Sequence, residues 1–163
     1  MVLLDNGGGA ALGDVLLALP PPDLNALVEH VVVETYPPHA REWRIVPDLS
    51  PHFIVSIVND GGVRRARAFL IGARSRAAVV DVSRRIVTVG VRLRPGAIPP
   101  LLGSSAADLT DRAVLLGDAF TGRMLPESEI GADTPPELLL NELLRLVRRA
   151  ARDAVPSPIG RAV

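Results

Sequence analysis

Three histidines, a set of serines and many arginines are the side chains of this 163-residue chain with the most obvious chemistry. His30, His39 and His52 form neither an H-x-H nor an H-x₃-H pair, so the closely spaced histidines of a metal-binding barrel strand are missing. The absence of cysteine excludes thiolate nucleophiles, disulfides and cysteine-based metal sites. We therefore expect no bound metal and no cofactor.

The serines give no sign of an acyl-transfer enzyme. None of them lies in a G-x-S-x-G nucleophile elbow, and the chain has no P-loop and no G-x-G-x-x-G motif. Ser105, in the stretch "GSSA", is better explained as the cap of a short helix over Ala106 to Leu109. Nothing singles out a pair of carboxylates, so the residues favour binding over catalysis, and we predict no enzyme activity.

The stretch "TVGVRLRPGA", residues 88–97, raises a question about two of the arginines. It alternates like a strand, with Arg92 and Arg94 on one face and valines and Leu93 on the other. Either the apolar face fills a dry interior and the arginines are solvated, or the arginines line a ligand cavity. Arg94, directly before Pro95, is also well placed to bond loop carbonyls.

If a ligand cavity exists, we predict that Trp43, His52 and Arg92 line it. Arg92 would orient an anionic or carbonyl group, and Trp43 would stack on an apolar part of the ligand. The prediction places the cavity inside the barrel. It assumes that the even-numbered face of 88–94 points inward and that the strand at 52–58 is its neighbour, with His52 and Arg92 on one side of the sheet.

The elements that must position these residues are mostly short strands. We predict strands near 42–47, 52–58, 66–71, 76–82 and 86–94, each bounded by turn-like residues, and a strand over Val31 to Val33. The "NDGG" stretch predicts a hairpin turn, and Asp23 predicts a short helix through Leu24, Leu27 and Val28. This spacing favours an antiparallel barrel or sandwich.

A C-terminal amphipathic helix over 134–155 follows, with Thr134 as its cap and Pro156 as its stop. Apolar side chains cover about half of its circumference, more than one packing partner needs. Leu140, Leu143, Val147 and Ala150 have a 3,4,3 spacing, so we predict that they hold a homodimer together. The alternative is that a neighbouring helix of the same chain covers the whole stripe.

The predicted organisation is thus mainly β with C-terminal helices, an α+β chain. It has a flexible segment at 1–19, a β domain with short helices at 20–133, the helix at 134–155 and a linker or tail at 156–163. The formal net charge is zero, which argues against binding to phosphate backbones. We recognise no signal peptide and no membrane span, so we expect a cytoplasmic protein.

Several blocks in this order resemble the N-terminal effector domain of AraC-type transcription regulators. They are "PPPDLNALVEHVVVE", "WRIVPDLSPHFIVSI", "FLIGARSRAAVV", "VGVRLRPGAIPPLLGSSAADLTDRAVLLGDAF" and the final leucine-rich helix. The resemblance runs from about Pro20 to Ala151. It departs at Leu49, where the family often has glycine, and at Val31-Val32, where it often has aromatic residues.

The resemblance implies a cupin-like barrel, a helical dimerisation segment and two helix-turn-helix units further on, with "PSPIGRAV" similar to the linker into them. We therefore expect an effector-sensing and dimerisation domain that lacks its DNA-binding half, takes an unknown small molecule and does not bind specific DNA by itself. The alternatives are a stand-alone cupin-like small-molecule binding protein and, third, a metal-independent cupin-type enzyme using His52 or an acid.

Overall fold

The computed structural model describes residues 2–3, 14–37, 41–103, 105–116 and 133–153. Within them the strands are β1 Val2–Leu3, β2 Val15–Ala18, β3 Val28–Thr35, β4 Glu42–Ile45, β5 His52–Asp60, β6 Val63–Ile71, β7 Ala78–Asp81, β8 Arg85–Leu93 and β9 Ala113–Leu115. The helices are α1 Ile98–Leu102 and α2 Pro136–Asp153, with 3-10 turns at Pro22–Leu24 and Ala106–Leu109.

Most strands form one antiparallel sheet of seven, in the order β1-β2-β3-β8-β5-β6-β9, and β4 pairs with β7 in a second sheet of two. The predicted class, mainly antiparallel β with a C-terminal helix, is confirmed. The hairpin predicted from "NDGG" joins β5 to β6. Gly61 and Gly62 adopt φ values of 62° and 87° there, a left-handed conformation that glycine reaches without steric cost.

The core lies between one face of the large sheet and helix α2, which packs on β8 and β5. We call this side of the sheet the core face. It is apolar because alternate residues of each strand point to the same side. Its buried members on the central strands include Val31, Phe53, Val55, Leu70, Val89, Val91 and Leu93. The apolar side of the 88–97 stretch therefore fills the interior, as in the first of the two alternatives. The other half of that alternative, solvated arginines, does not hold for Arg92, which pairs with Glu29 and Asp48.

The N-terminal part of the fold differs from the prediction in two places. Residues 15–18, inside the segment predicted to be flexible, form β2 and pair with β3, because their apolar side chains extend the sheet. The short helix predicted through Val28 is wrong. A 3-10 turn ends at Leu24, and Val28 already begins β3, where its β-branched side chain is fully buried.

Two cap predictions have different outcomes. Ser105 caps the 3-10 turn at Ala106–Leu109, and its hydroxyl accepts a hydrogen bond from the Ala107 amide at 3.2 Å. Helix α2 begins at Pro136, two residues after the predicted start. Residues 117–132 of the predicted β domain, the predicted linker at 156–163 and His39 lie outside the described residues. No helix in the described ranges has the length and apolar character needed to cross a membrane.

Candidate functional site

The side of the large sheet opposite the core carries ordered rows of polar residues, and we call it the polar face. Strand register places Glu34, Thr88, Ser56 and Arg67 in one row across β3, β8, β5 and β6. The next row on the same face is apolar and consists of Val32, Gly90, Ile54 and Phe69. The alternation that makes one face hydrophobic thus gives the other face a set of groups able to bind a ligand.

A cavity of about 190 Å³ opens on this face, and we call it the arginine cavity. Strands β5 and β6 supply its floor, and the end of β7 and the following turn close one side. The lining residues are Ser56, Val58, Arg67, Phe69, Asp81, Arg84 and Arg85. A second cavity, of about 440 Å³, adjoins it and shares Arg84 and Arg85 with it. Its other lining residues include Tyr36, Gly61 and Ser83.

The arginine cavity is lined by three arginines and one aspartate. The carboxylate of this aspartate, Asp81, accepts a hydrogen bond from the Ser83 amide at 2.8 Å. Hydrogen bonds from the Ser83 side chain and backbone hold the pKa of Asp81 below its ordinary value. Among the described residues Arg67 and Arg85 have no carboxylate partner. The cavity therefore has cationic groups that a ligand can engage.

A buried network of hydroxyl groups lies beside this cavity. The Ser56 and Thr88 hydroxyl oxygens are 3.0 Å apart, and both residues are buried. The Tyr36 phenol donates a hydrogen bond to the Glu34 carboxylate at 2.6 Å. Burial and the Glu34 charge raise the pKa of Tyr36 to about 12, against the opposing effect of a hydrogen bond with the Thr88 hydroxyl. The phenol is therefore protonated at neutral pH.

The residues that the sequence predicted as a ligand site are placed together only in part. His52 and Arg92 are direct partners across β5 and β8, so they share one side of the sheet as assumed. The assumption that this side points inward is wrong, because Val89, Val91 and Leu93 on the opposite side form the core. Trp43 lies in the second sheet, on β4 opposite Val80, and is half-buried. None of the three lines either of the two cavities described above. Their role in ligand binding stays a prediction.

Arg92 is engaged by two carboxylates of its own chain. Its Nε donates to Glu29 at 2.8 Å, and its two terminal nitrogens lie 2.8 and 2.6 Å from the two Asp48 oxygens. The Ser50 hydroxyl donates to Glu29 at 3.2 Å, and the Ser50 amide donates to Asp48 at 2.9 Å. The guanidinium thus ties β3 and the loop after β4 to the central strand, which is a structural role.

Arg94 has the loop-bonding role that its position before Pro95 predicted. Its Nε donates to the Asn25 carbonyl at 2.7 Å, and a terminal nitrogen donates to the Asn25 side-chain oxygen at 3.1 Å. These bonds join the end of β8 to the turn before β3.

His30 and His52 flank Arg92 on the polar face, because each is its register partner on a neighbouring strand. Burial, followed by the charge of Arg92, lowers the pKa of His52 to about 4, and the same two causes lower the pKa of His30. Both imidazoles are therefore neutral at pH 7. Within the described ranges no group of three or more His, Cys, Asp or Glu residues is arranged to hold a metal ion.

Sequence reasoning missed the residues that line the arginine cavity. The signal was present in "VRRARAF", where Arg65 and Arg67 alternate with alanines as Arg92 and Arg94 alternate with apolar residues. Ser56 likewise interrupts the apolar strand "FIVSIV". Only the register between β5 and β6 shows that Ser56 and Arg67 are opposite each other.

The residues predicted to hold a homodimer require a correction. Leu143, Val147 and Ala150 are 0%, 0% and 7% exposed and belong to the core of their own chain, so they are not available to a second subunit. Leu140 is half-buried and packs at the edge of that core. The apolar stripe was wide because the helix packs against both the sheet and α1. The homodimer itself stays a prediction.

Comparison with known proteins gives one match. The model of a family described as "Domain of unknown function (DUF6597)" matches residues 17–115, which include every residue that lines the two cavities and end before helix α2. No curated protein and no solved structure matches the chain.

Proposed function

The chain belongs to the DUF6597 family, whose description assigns no function, and we propose from its own site that it is a small-molecule-binding domain that senses an effector. The resemblance to the N-terminal domain of AraC-type transcription regulators supports a regulatory setting, in which a bound effector alters the activity of an attached DNA-binding part. The proposal is of a binding domain and not of an enzyme.

The arginine cavity is the observation that carries this proposal. It lies on the polar face, opposite the core, so a ligand can enter it without disturbing the packing of helix α2. Concave sites with an apolar wall and a few polar groups are typical of small-molecule binding. Phe69 supplies apolar surface here, and Arg67 and Arg85 supply charge.

The ionisable groups near the cavity support binding over proton transfer. A general base needs a pKa near the working pH. The pKa of Asp81 is below its ordinary value and that of Tyr36 is about 12. At pH 7 the carboxylate is ionised and a weak base, and the phenol is protonated. Such groups present fixed charges and hydrogen bonds, which suits recognition of a ligand.

A thermal-shift screen of the purified chain tests the proposal. The library contains metabolite-sized acids, bases and neutral compounds, each at about 1 mM. A ligand that binds the native state raises the melting temperature. At a hundredfold excess over its Kd it adds about 2.7 kcal/mol to the free energy of unfolding. We expect at least one hit that Arg67→Gln weakens. A library without a single hit would contradict the proposal.

The matched control is Arg65→Gln. Arg65 lies on the same strand and by alternation on the same side as Arg67, but it does not line the cavity. Both arginines are exposed, so neither change should alter the stability of the unliganded protein by more than about 0.5 kcal/mol. Arg65→Gln should keep the hit, and a loss of binding in both variants would place the ligand elsewhere.

A further inference from the structure

We infer that the arginine cavity binds a small amphipathic anion, whose acidic head group lies between Arg67 and Arg85 and whose apolar body lies on Phe69. This inference rests on the proposed binding function and names the chemical class of its ligand. A carboxylate and a phosphate monoester share the head-group chemistry.

Strand register places the two arginines on either side of β5. Arg67 is the partner of Ser56 on β6, and Arg85 is the partner of Val58 on β8. Ser56 and Val58 are two residues apart, so they lie on the same side of β5. Adjacent strands are about 4.8 Å apart and each residue adds about 3.3 Å, so roughly 12 Å separate the two arginine Cα atoms. Both side chains line the cavity, where one anion can contact both guanidinium groups.

A register shift between β5 and β8 brings Arg85 to this position. Regular pairing would place Ile86 opposite Val58, but the register shifts there and Arg85 takes that place. Ile86 and Val87 both pack against the core. This is the arrangement of a β-bulge, in which two residues of one strand oppose one residue of its partner. The bulge therefore supplies the cavity with a cation where regular pairing would put an isoleucine.

Arg67 and Arg85 have no carboxylate partner in the part of the chain that the structure describes. Other arginines of the same part do have one, namely Arg64, Arg76, Arg92, Arg145 and Arg148. A guanidinium binds a carboxylate or a phosphate through charge-assisted hydrogen bonds, which are stronger than those to neutral groups. The head group of an anionic ligand thus supplies the partner that the protein gives to those other arginines.

Asp81 also lines the cavity, and its carboxylate has other partners. Hydrogen bonds from Ser83 are the main cause that lowers the pKa of Asp81, and the charges of Arg84 and Arg41 lower it as well. Those two arginines therefore offset part of the negative charge of Asp81. Neither of them is assigned to the ligand.

Phe69 gives the cavity an apolar wall next to Arg67. The two residues are two positions apart on β6, so they lie on the same side of the sheet, about 6.6 Å apart along the strand. Phe69 belongs to the apolar row, and its ring lines the cavity. An anion held by the arginines can place its apolar atoms against this ring, which favours an aromatic or aliphatic body over a second polar group.

The size of the cavity restricts the ligand further. A volume of about 190 Å³ corresponds to roughly six water molecules at ~30 Å³ each. Pockets for drug-sized ligands are about 300–1,000 Å³. The cavity therefore suits a molecule with one acidic group and an apolar body no larger than a single ring.

Titration calorimetry with matched compounds tests the inference on the unaltered chain. Phenylacetate and phenyl phosphate have both features. 2-Phenylacetamide keeps the ring without the charge, phenethylamine reverses the charge, and acetate and inorganic phosphate keep the charge without the ring. We expect phenylacetate or phenyl phosphate to bind at least about tenfold more tightly than each of these counterparts. The better of the two anions identifies the head group as a carboxylate or a phosphate.

Variants assign the charge recognition to residues. Arg67→Gln and Arg85→Gln should each weaken the better anion by about ten- to a hundredfold, the loss expected for a charge-assisted bond. They should weaken 2-phenylacetamide much less, because it has no charge. Arg65→Gln should leave the anion unchanged, since Arg65 does not line the cavity. If Arg85→Gln does not fold, Arg67→Gln and the comparison of compounds on the unaltered chain still decide the inference.

The outcomes separate this inference from the proposed function. If neither phenylacetate nor phenyl phosphate binds more tightly than its counterparts, or if Arg67→Gln keeps full affinity for the better anion, the inference is overturned. Binding of a neutral or basic compound that Phe69→Leu weakens would then leave the proposed function standing. If no compound of the library binds at all, the inference and the proposed function both fail.

Discussion

Arginines on the same face of the sheet have different roles, and the role of each depends on the groups that it contacts. Arg92 and Arg67 both lie on the polar face, in neighbouring strand pairs. Two carboxylates of the chain occupy Arg92, whereas Arg67 is exposed beside a cavity and has no carboxylate partner among the described residues. A residue type on a strand face therefore indicates chemistry, and the local partners indicate whether it serves the fold or a ligand.

Arg92→Met should destabilise the protein by about 2 kcal/mol, because it leaves Glu29 and Asp48 without their shared cation. Urea unfolding measures the change in the free energy of unfolding. The control is Arg94→Met, at the exposed end of the same strand, which loses only bonds to Asn25 and should cost less than about 1 kcal/mol. Equal losses in the two variants would refute the structural role of Arg92.

His52 should make stability fall on acidification between about pH 6.5 and pH 4. Its pKa in the fold is about 4, below the ordinary 6.5, so the unfolded chain binds a proton first and protonation favours unfolding. The loss is up to about 3 kcal/mol at full effect, from 1.36 kcal/mol per pKa unit. The measurement is urea unfolding at several pH values.

His52→Gln should flatten this slope. The pKa of His30 is also lowered, so some slope remains in the variant. The carboxylates with lowered pKa, Glu29 among them, lose their contribution only as the pH falls below their ordinary range near 4. Comparison at pH 8, where both imidazoles are neutral, measures the packing effect of the change alone. An unchanged slope in His52→Gln would show that other groups cause the acid sensitivity.

At the scale of elements, helix α2 shows how an amphipathic pattern is used. Its charged side, which includes Arg145 and Arg149, is exposed, and its apolar stripe packs on the sheet and on α1. The Arg148 guanidinium also pairs with Asp23, at 2.6 Å, within the first 3-10 turn. The helix is therefore an integral part of the core.

Leu143→Ala should cost about 2–5 kcal/mol in the free energy of unfolding, because its side chain is fully buried against the sheet. The control on the same helix is Leu138→Ala, where the leucine is 53% exposed and the loss should be within about 0.5 kcal/mol. Denaturant unfolding followed by circular dichroism measures both. Similar small losses in the two variants would indicate that the stripe faces a partner and not the core.

Strand periodicity and turn residues predicted β5, β6 and β8 well, because local alternation and glycine turns encode them. Beyond the assumed pairing of 52–58 with 86–94, the sequence did not predict strand order. β3 lies beside β8, and that pairing joins segments more than fifty residues apart. The arginine cavity depends on this long-range register and on the β7–β8 turn. For that reason single-strand patterns led to His52 and Arg92 and not to Arg67.

For the whole molecule, charge neutrality limits the kinds of partner. Basic and acidic residues number 18 each, and several of the arginines are paired with acids of the same chain, as at Arg92 and Arg148. A protein that binds nucleic acid through its phosphates needs a clustered basic surface.

We therefore predict that this chain alone does not bind DNA with sequence selectivity. A mobility shift at low salt, with specific and scrambled duplexes, tests the prediction. Weak retention that salt abolishes is the expected upper limit, since counterion release alone produces it. Selective binding at sub-micromolar concentration would contradict the prediction and also weaken the case for a purely effector-sensing role.

Strand β8 contributes to both the core and the polar face, and this limits where related sequences can gain or lose residues. Val89 and Val91 belong to the core, and Thr88 and Arg92 belong to the polar face. Inserting or deleting one residue would exchange these sets, burying a guanidinium and exposing valines. Insertions and deletions should therefore be tolerated at turns such as Gly61–Gly62, where no neighbouring atom lies within 4 Å of an added Cβ. Related sequences should have no insertions or deletions within β8.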